Sequence, residues 1–411
     1  THNKQAYDAY LKGVYYLDDS NRTGDTAELA QSVPLFKQAV QFDPQFADAW
    51  AYLSLAYEKL GGQHKAQAAA ALRALEIDPN NASALGVMSF VYSDEGQHDK
   101  AIALAERAVK LQTKNANVQA GLGFILMFAG RFDDAINIFE HAVALTPNTS
   151  TFRLFLAYPL EATRDYMQAR DQLQTGLAHD PGDMSSVQML AQVDLLGWGD
   201  LDAARKVLQA ASQSPNRSIP LAEAWYQVDL YAREYAAALD VINHAPEQMF
   251  QQSQTPKAQY LAQVYQAQDD AVRTKIAFGQ ARTQLETWLK ATPNSADLHA
   301  NLALTMAGLD DTAQAQAEAE RAVVLSPVAR NAWEGQEYLL TQAQVQASIG
   351  HVDIAVEQLQ HLLQIPAGSF ISVPILKLDP AWDPIRKDPR FQALLKKYEN
   401  TNHNSGSANG E

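Results

Sequence analysis

Large apolar side chains recur in this 411-residue chain where the register of successive helices turns one face inward: Phe90, then Phe124, Met127 and Phe128, then Leu154 and Tyr158, then Leu195 and Leu196. A solvated helix face would carry Lys, Glu or Gln there. The chemistry such residues offer is recognition: aromatic rings supply area, Met127 adapts to shape, and the Tyr158 hydroxyl fixes orientation. Asp94, Gln188, Gln192 and Arg233 fall where a polar rim would lie. The candidate partner-binding set is therefore Phe90, Phe124, Met127, Phe128, Leu154, Tyr158, Gln188, Gln192, Leu195 and Arg233. A groove of this kind suits a helix or an extended segment of a protein. The same stripe admits another reading, in which tight superhelical curvature or a kink at Pro159 buries it between neighbouring repeats.

Bond-making chemistry finds no support in the sequence. Gly121-Leu-Gly123 begins like a dinucleotide loop, but it lacks the third glycine and falls on a helix, where small residues serve close packing. There is no phosphate-binding Gly-x-x-x-x-Gly-Lys loop, no kinase signature and no Gly-x-Ser-x-Gly elbow. The ten histidines are scattered, and His351 and His361 stand too far apart in register to share a helical face. Glu318, Glu320, Asp310 and Asp311 read as a solvated face. The absence of cysteine removes thiol catalysis, disulfides and cysteine-ligated zinc. No enzyme activity, cofactor or metal is expected.

A net charge of −15, from 47 acidic and 32 basic residues, includes no basic stripe, so a nucleic-acid partner is not expected. No apolar run reaches the ~18 residues of a membrane span. The chain opens on Thr1 with no signal-peptide pattern, and a processed chain or an excised fragment is expected.

The positioning elements show in a strict period. Pro79, Thr113, Pro147, Pro181 and Pro215 are each 34 residues apart, and Pro293 and Pro327 repeat the interval. They close segments such as Ala-Leu-Glu-Ile-Asp-Pro (74–79) and Ala-Val-Ala-Leu-Thr-Pro (142–147). Within each period, apolar residues fall at spacings of three, four and seven, the stripe of an amphipathic helix, twice over. Each unit is a helix pair. Turns such as Ala-Gly-Arg-Phe-Asp (129–133) and Glu-Gly-Gln-His-Asp (95–99) place Gly where the first helix ends left-handed and Asp where it caps the second. The register predicts Ala135, Ala142, Ala203 and Ala210 buried against a neighbouring helix.

That period is the tetratricopeptide period, and the expected fold is all-α: a superhelical solenoid of about ten helix-turn-helix units with a C-terminal cap. Four regions are expected: an N-terminal array over 1–217, degenerate repeats and a bend over 218–292, repeats and cap over 293–399, and a disordered tail over 400–411. Residues 244–256, with Pro246, Pro256 and a run of Gln, predict a mobile loop. The basic clamp that grips C-terminal carboxylates in chaperone-binding repeats is missing. Its slots hold Ala51 and Leu55, Gly86 and Phe90, Ala120 and Phe124.

The ends narrow the resemblance. Ala-Tyr-Asp-Ala-Tyr-Leu-Lys-Gly-Val-Tyr-Tyr-Leu (6–17), the block 277–286 and Leu-Lys-Leu-Asp-Pro-Ala-Trp-Asp-Pro-Ile-Arg-Lys-Asp-Pro-Arg-Phe-Gln-Ala-Leu-Leu (376–395) resemble the tetratricopeptide regions of bacterial signalling fusions. Those carry a serine/threonine kinase, winged-helix or adenylyl cyclase domain. The resemblance implies a non-catalytic sensor or docking region that holds a protein or peptide. It also implies an extracytoplasmic, periplasmic placement beside a membrane anchor, with the cytoplasm as alternative. A homodimerising scaffold is the rival function.

Overall fold

The computed structural model describes residues 1–23, 26–61, 63–211 and 219–399; Pro215 and the tail 400–411 fall outside the described residues. Among the described residues every regular element is helical. The chain forms two compact units, Thr1–Leu145 and Thr146–Glu411.

The first unit is four helical hairpins: α1 (Lys4–Thr23) with α2 (Thr26–Phe42), α3 (Ala47–Leu60) with α4 (His64–Ile77), α5 (Ala82–Asp94) with α6 (His98–Leu111), and α7 (Ala116–Phe128) with α8 (Phe132–Leu145). Local signals set the ends. The Asn81 side chain accepts from the Ala84 N–H, and the Asn115 side chain from the Asn117 N–H. Gly96 and Gly130 take φ of 72° and 76°, the left-handed turn expected of them. Asp99 and Asp133 are not caps. They lie inside the first turns of α6 and α8, where a carboxylate favours the positive end of the helix dipole. Packing follows the small-residue slots. Ala135, Phe139 and Ala142 are fully buried. A Cβ on Gly123 would sit 2.6 Å from the Phe139 ring, so only glycine lets α7 and α8 approach this closely.

The second unit continues the pattern with α9 (Ser150–Ala162), α10 (Tyr166–His179), α11 (Met184–Trp198), α12 (Leu201–Ala211), α13 (Ile219–Tyr231) and α14 (Tyr235–His244). Then come a short α15 (Glu247–Gln252), α16 (Lys257–Ala267), the long α17 (Ala271–Ala291), α18 (Ala296–Gly308), α19 (Thr312–Leu325), α20 (Gly335–Ser348) and α21 (Val352–Gln364). A short α22 (Val373–Leu378), a 3₁₀ turn (Pro380–Trp382) and α23 (Pro389–Tyr398) end it.

Two expectations are corrected here. In α12 the buried slots are Ala204 and Leu208, both at 0% exposure, while Ala203 is half-buried and Ala210 exposed. The cause is α11, which runs on to Trp198 and ends at left-handed Gly199, delaying the register by one residue. The stretch 244–256 is not simply a loop. It contains α15, whose Met249 and Phe250 are 1% and 2% exposed and pack with Tyr226, Ile242 and Tyr260. Two apolar side chains in one turn outweigh the glutamines around them, at about 1.5–3 kcal/mol for each fully buried side chain.

The C-terminal end is core. Trp382, Phe391 and Leu376 are buried with Leu359 and Leu362, and the Trp382 and Phe391 rings stack with centroids 6.4 Å apart. Arg386 spends its guanidinium on the carbonyls of Leu376, Lys377 and Asp379 and on Asp383. This explains the dense Asp-Pro-Ala-Trp-Asp-Pro sequence: it builds a rigid, cross-tied segment.

Candidate binding site

In the first unit, Phe90, Phe124 and Phe128 are half-buried and pack on one another. Ring centroids lie 6.4 Å apart for Phe90–Phe128 and 6.3 Å for Phe124–Phe128, with Phe124 edge-on to Phe139 at 5.2 Å. They form an apolar ridge backed by the core. Met127 differs: at 0% exposure it packs inside the stack and offers a partner no surface.

In the second unit the segment from Ile365 to Asp383 lies across the helices that carry the remaining candidates. The Gly368 N–H donates to the Ala162 carbonyl at 2.9 Å, and the Tyr166 hydroxyl to the Gly368 carbonyl at 2.9 Å. Arg164 donates to the carbonyls of Ile365 and Leu362 at 2.7 and 2.9 Å. Gln192 reaches the Ser369 carbonyl at 3.2 Å. Arg233 donates to both oxygens of Asp383 and to the Leu378 carbonyl. Arg164 and Arg233 hold φ of 65° and 62°, the left-handed position that Gly96 and Gly130 fill in the first unit. Gly368 comes so close that a Cβ there would lie 2.1 Å from the Glu161 carbonyl oxygen. Burial beneath this segment pushes the Glu161 carboxyl up to about 8, against the opposing pull of the Ser369 hydroxyl.

This corrects part of the expected groove. Leu154 and Leu195 are 6% and 2% exposed and are packing residues, as is Leu196. Tyr158 is half-buried against Trp333 at 5.3 Å between ring centroids. Gln192 and Arg233 already bind the chain's own C-terminal segment. The physical reason is non-local: a face that looks open in an array of helices is covered when the chain folds back on it.

Between that segment and the inner helices remains a cavity of about 1430 Å³. Gln188 and Gln192 line one part of it, and Glu223, Tyr260, Asp297, Glu337 and Tyr338 line another. Hydroxyls hold two of its carboxylates: Tyr338 donates to Asp297 at 2.7 Å, and Tyr260 to Glu223 at 3.4 Å. Burial raises the Glu223 carboxyl, with hydrogen bonds from Tyr260 and Gln188 acting against it. Glu337 is open to the cavity yet ringed by protein, so lost hydration, then Asp297, Glu334 and Glu223, push it up to about 7. Among the described residues no three His, Asp or Glu side chains are grouped to hold a metal ion. Sequence reading reached Gln188 here but missed the carboxylates. They sit on α13, α18 and α20, far apart along the chain, and each reads as ordinary helix-surface charge. The arginines at 164 and 233 did leave a signal, since they stand where sister turns have glycine.

Tetratricopeptide repeat family models match residues 25–82 and 91–148, 70–103, and 126–193. No curated protein matches the chain. Among solved structures, PilF of Pseudomonas aeruginosa is 20% identical over 52% of this chain and 97% of its own, with a TM-score of 0.40. A thermophilic TPR protein of Thermus thermophilus is 18% identical over 46% and 98%, with a TM-score of 0.41. YrrB, described as a TPR protein with an unusual peptide-binding site, is 18% identical over 46% and 96%, with a TM-score of 0.34. The fold is that of a tetratricopeptide-repeat solenoid, an architecture that generally serves as a scaffold for protein interaction.

Proposed function

We propose that this chain is a non-catalytic module that binds a protein or peptide partner, the sensor or docking region of a bacterial signal-transduction protein. One observation carries the binding role: the cavity of about 1430 Å³ in the second unit. Small-molecule pockets run to roughly 300–1,000 Å³, so this space suits a run of peptide. Its lining of glutamines, tyrosines and carboxylates supplies hydrogen-bonding groups on several sides, as an extended backbone needs. The test is titration of fluorescent nonapeptides against the intact chain and against Gln344→Trp, which projects bulk into the cavity. Binding that Gln344→Trp abolishes without lowering Tm supports the role. Binding indifferent to it places the peptide elsewhere, the Phe90–Phe128 ridge being the next surface to mutate.

The signalling role rests on the end motifs at 6–17 and 376–395. The same resemblance supports placement outside the cytoplasmic membrane. No helix among the described residues is long and apolar enough to cross a membrane. Protease accessibility in spheroplasts, with the protein that carries this chain, tests the placement.

Self-association is favoured by a separate feature. Tyr7, Leu11 and Tyr15 form a stripe on α1 at 48%, 46% and 64% exposure, on a terminal helix where repeat arrays usually turn a polar face outward. Light scattering of the chain and of Leu11→Glu tests this: a dimer that the substitution dissolves would support it.

A further inference from the structure

We infer that the cavity of the second unit selects a cationic side chain, a lysine ammonium or an arginine guanidinium on an extended peptide, and seats it among Glu223, Asp297 and Glu337. The inference rests on the peptide-binding role proposed above and adds the chemistry of what is bound.

Charge is the first ground. The cavity lining carries six carboxylates and two basic side chains, Arg386 and Lys387. Arg386 is consumed by three backbone carbonyls and Asp383. Asp383 in turn is held by Arg233 and Arg386. Lys387 is exposed and belongs to the same C-terminal segment as Asp379, Asp383 and Arg386, whereas Glu223, Asp297 and Glu337 come from the three helices α13, α18 and α20. The charges that bear on Glu337 are all carboxylates. A recessed site lined by more carboxylates than basic groups favours a cation and raises its local concentration.

Fixed geometry is the second ground. Tyr338 and Gln254 hold Asp297, and Tyr260 and Gln188 hold Glu223, which fixes the two carboxylates while each oxygen keeps a lone pair for an incoming N–H donor. Tyr226, Tyr231, Tyr260 and Tyr338 also line the space, and aromatic faces attract ammonium and guanidinium groups. Asp297 and Glu223 stand near enough to bear on Glu337, yet among the described residues no three such side chains are grouped tightly enough to hold a metal ion. The space suits a large organic cation attached to a chain.

The experiment uses the intact protein and three fluorescent nonapeptides: alternating alanine and lysine, the same with acetyl-lysine, and the same with glutamate. The lysine peptide should bind, and acetylation should weaken it about tenfold or more, the scale of one lost charged hydrogen bond. Glu337→Gln should weaken the lysine peptide similarly, while Asp240→Asn on the exposed surface should not. Glu337→Gln removes a like-charge repulsion, so its Tm should hold or rise. Equal binding of all three peptides, or a Glu337→Gln effect no larger than that of Asp240→Asn, would overturn the cationic selectivity and leave peptide binding standing. If none of the three binds, both readings fall.

Discussion

The guanidinium of Arg233 meets the carboxylate of Asp383 in a two-bond fork, at 2.6 and 2.9 Å, and so ties the end of α13 to a segment 150 residues later. Arg164 makes the equivalent tie one face along, to the carbonyls of Ile365 and Leu362. Both arginines occupy a left-handed turn position that Gly96, Gly130 and Gly199 fill in sister turns and Asp269 and Asp310 in two later ones. They are a local irregularity with a long-range purpose.

Replacing Arg233 by Ala should loosen the segment more than it destabilises the protein. The pair is partly exposed, at 34% and 42%, and such pairs contribute about 1 kcal/mol or less. Hydrogen exchange should speed at the Asp379 and Trp382 amides, with little change in Tm. A cooperative loss of the whole fold would contradict this.

Arg164→Gly sets two effects against each other. Glycine relieves about 1–2 kcal/mol of left-handed strain. The lost bonds to two carbonyls are worth about 1.5–3 kcal/mol each. The bonds win, so urea denaturation should show a net loss of stability. An unchanged midpoint would mean the ties to residues 362 and 365 only offset the relieved strain, and a raised one that they contribute nothing.

Gly368→Ala places a Cβ 2.1 Å from the Glu161 carbonyl oxygen, which is backbone and cannot swing aside. A loss of at least about 1–3 kcal/mol is expected in thermal melts. Gly279→Ala, on α17 with nothing within 4 Å, should instead gain about 0.5–1 kcal/mol.

The register of the repeats is checked by a pair of substitutions. Ala135→Leu enters a fully buried slot and should cost about 1–3 kcal/mol, while Ala210→Leu on an exposed face should stay within about 0.5 kcal/mol. Equal effects would mean that α12 follows the uninterrupted 34-residue register after all.

Glu161 makes stability depend on pH in a defined direction. Its carboxyl is raised from 4.5 to about 8 by burial, so the folded protein keeps the proton that the unfolded chain releases. The contribution is complete below about pH 4.5 and is lost as pH rises toward 8 and beyond. Against wild type, Glu161→Gln should flatten the decline in Tm between those values. Parallel pH profiles would show that Glu161 is ionised in the fold.

The sequence by itself determined the helices, their pairing and most of their packing, because those rest on contacts within one or two periods. Gly123 under Phe139, Ala135 and Ala142 in the small slots, and Gly96 and Gly130 in the turns are all local, and each has a spacing that announces it. The lengthening of α11 to 15 residues, against 13 in α7 and α9, with a shorter turn after it, sufficed to move the slots of α12 from Ala203 to Ala204, since a helical stripe turns by about 100° per residue. The binding surface was legible only in part. Phe90, Phe124 and Phe128 pack ring on ring and stay half-buried, and Gln188 lines the cavity. Leu154, Leu195, Gln192 and Arg233 changed meaning because the segment from 365 to 383 folds back over them. Glu223, Asp297 and Glu337 acquired meaning only by meeting. Periodicity records which face of a helix a residue occupies. What arrives opposite that face, from more than a hundred residues away, is decided by the tertiary fold.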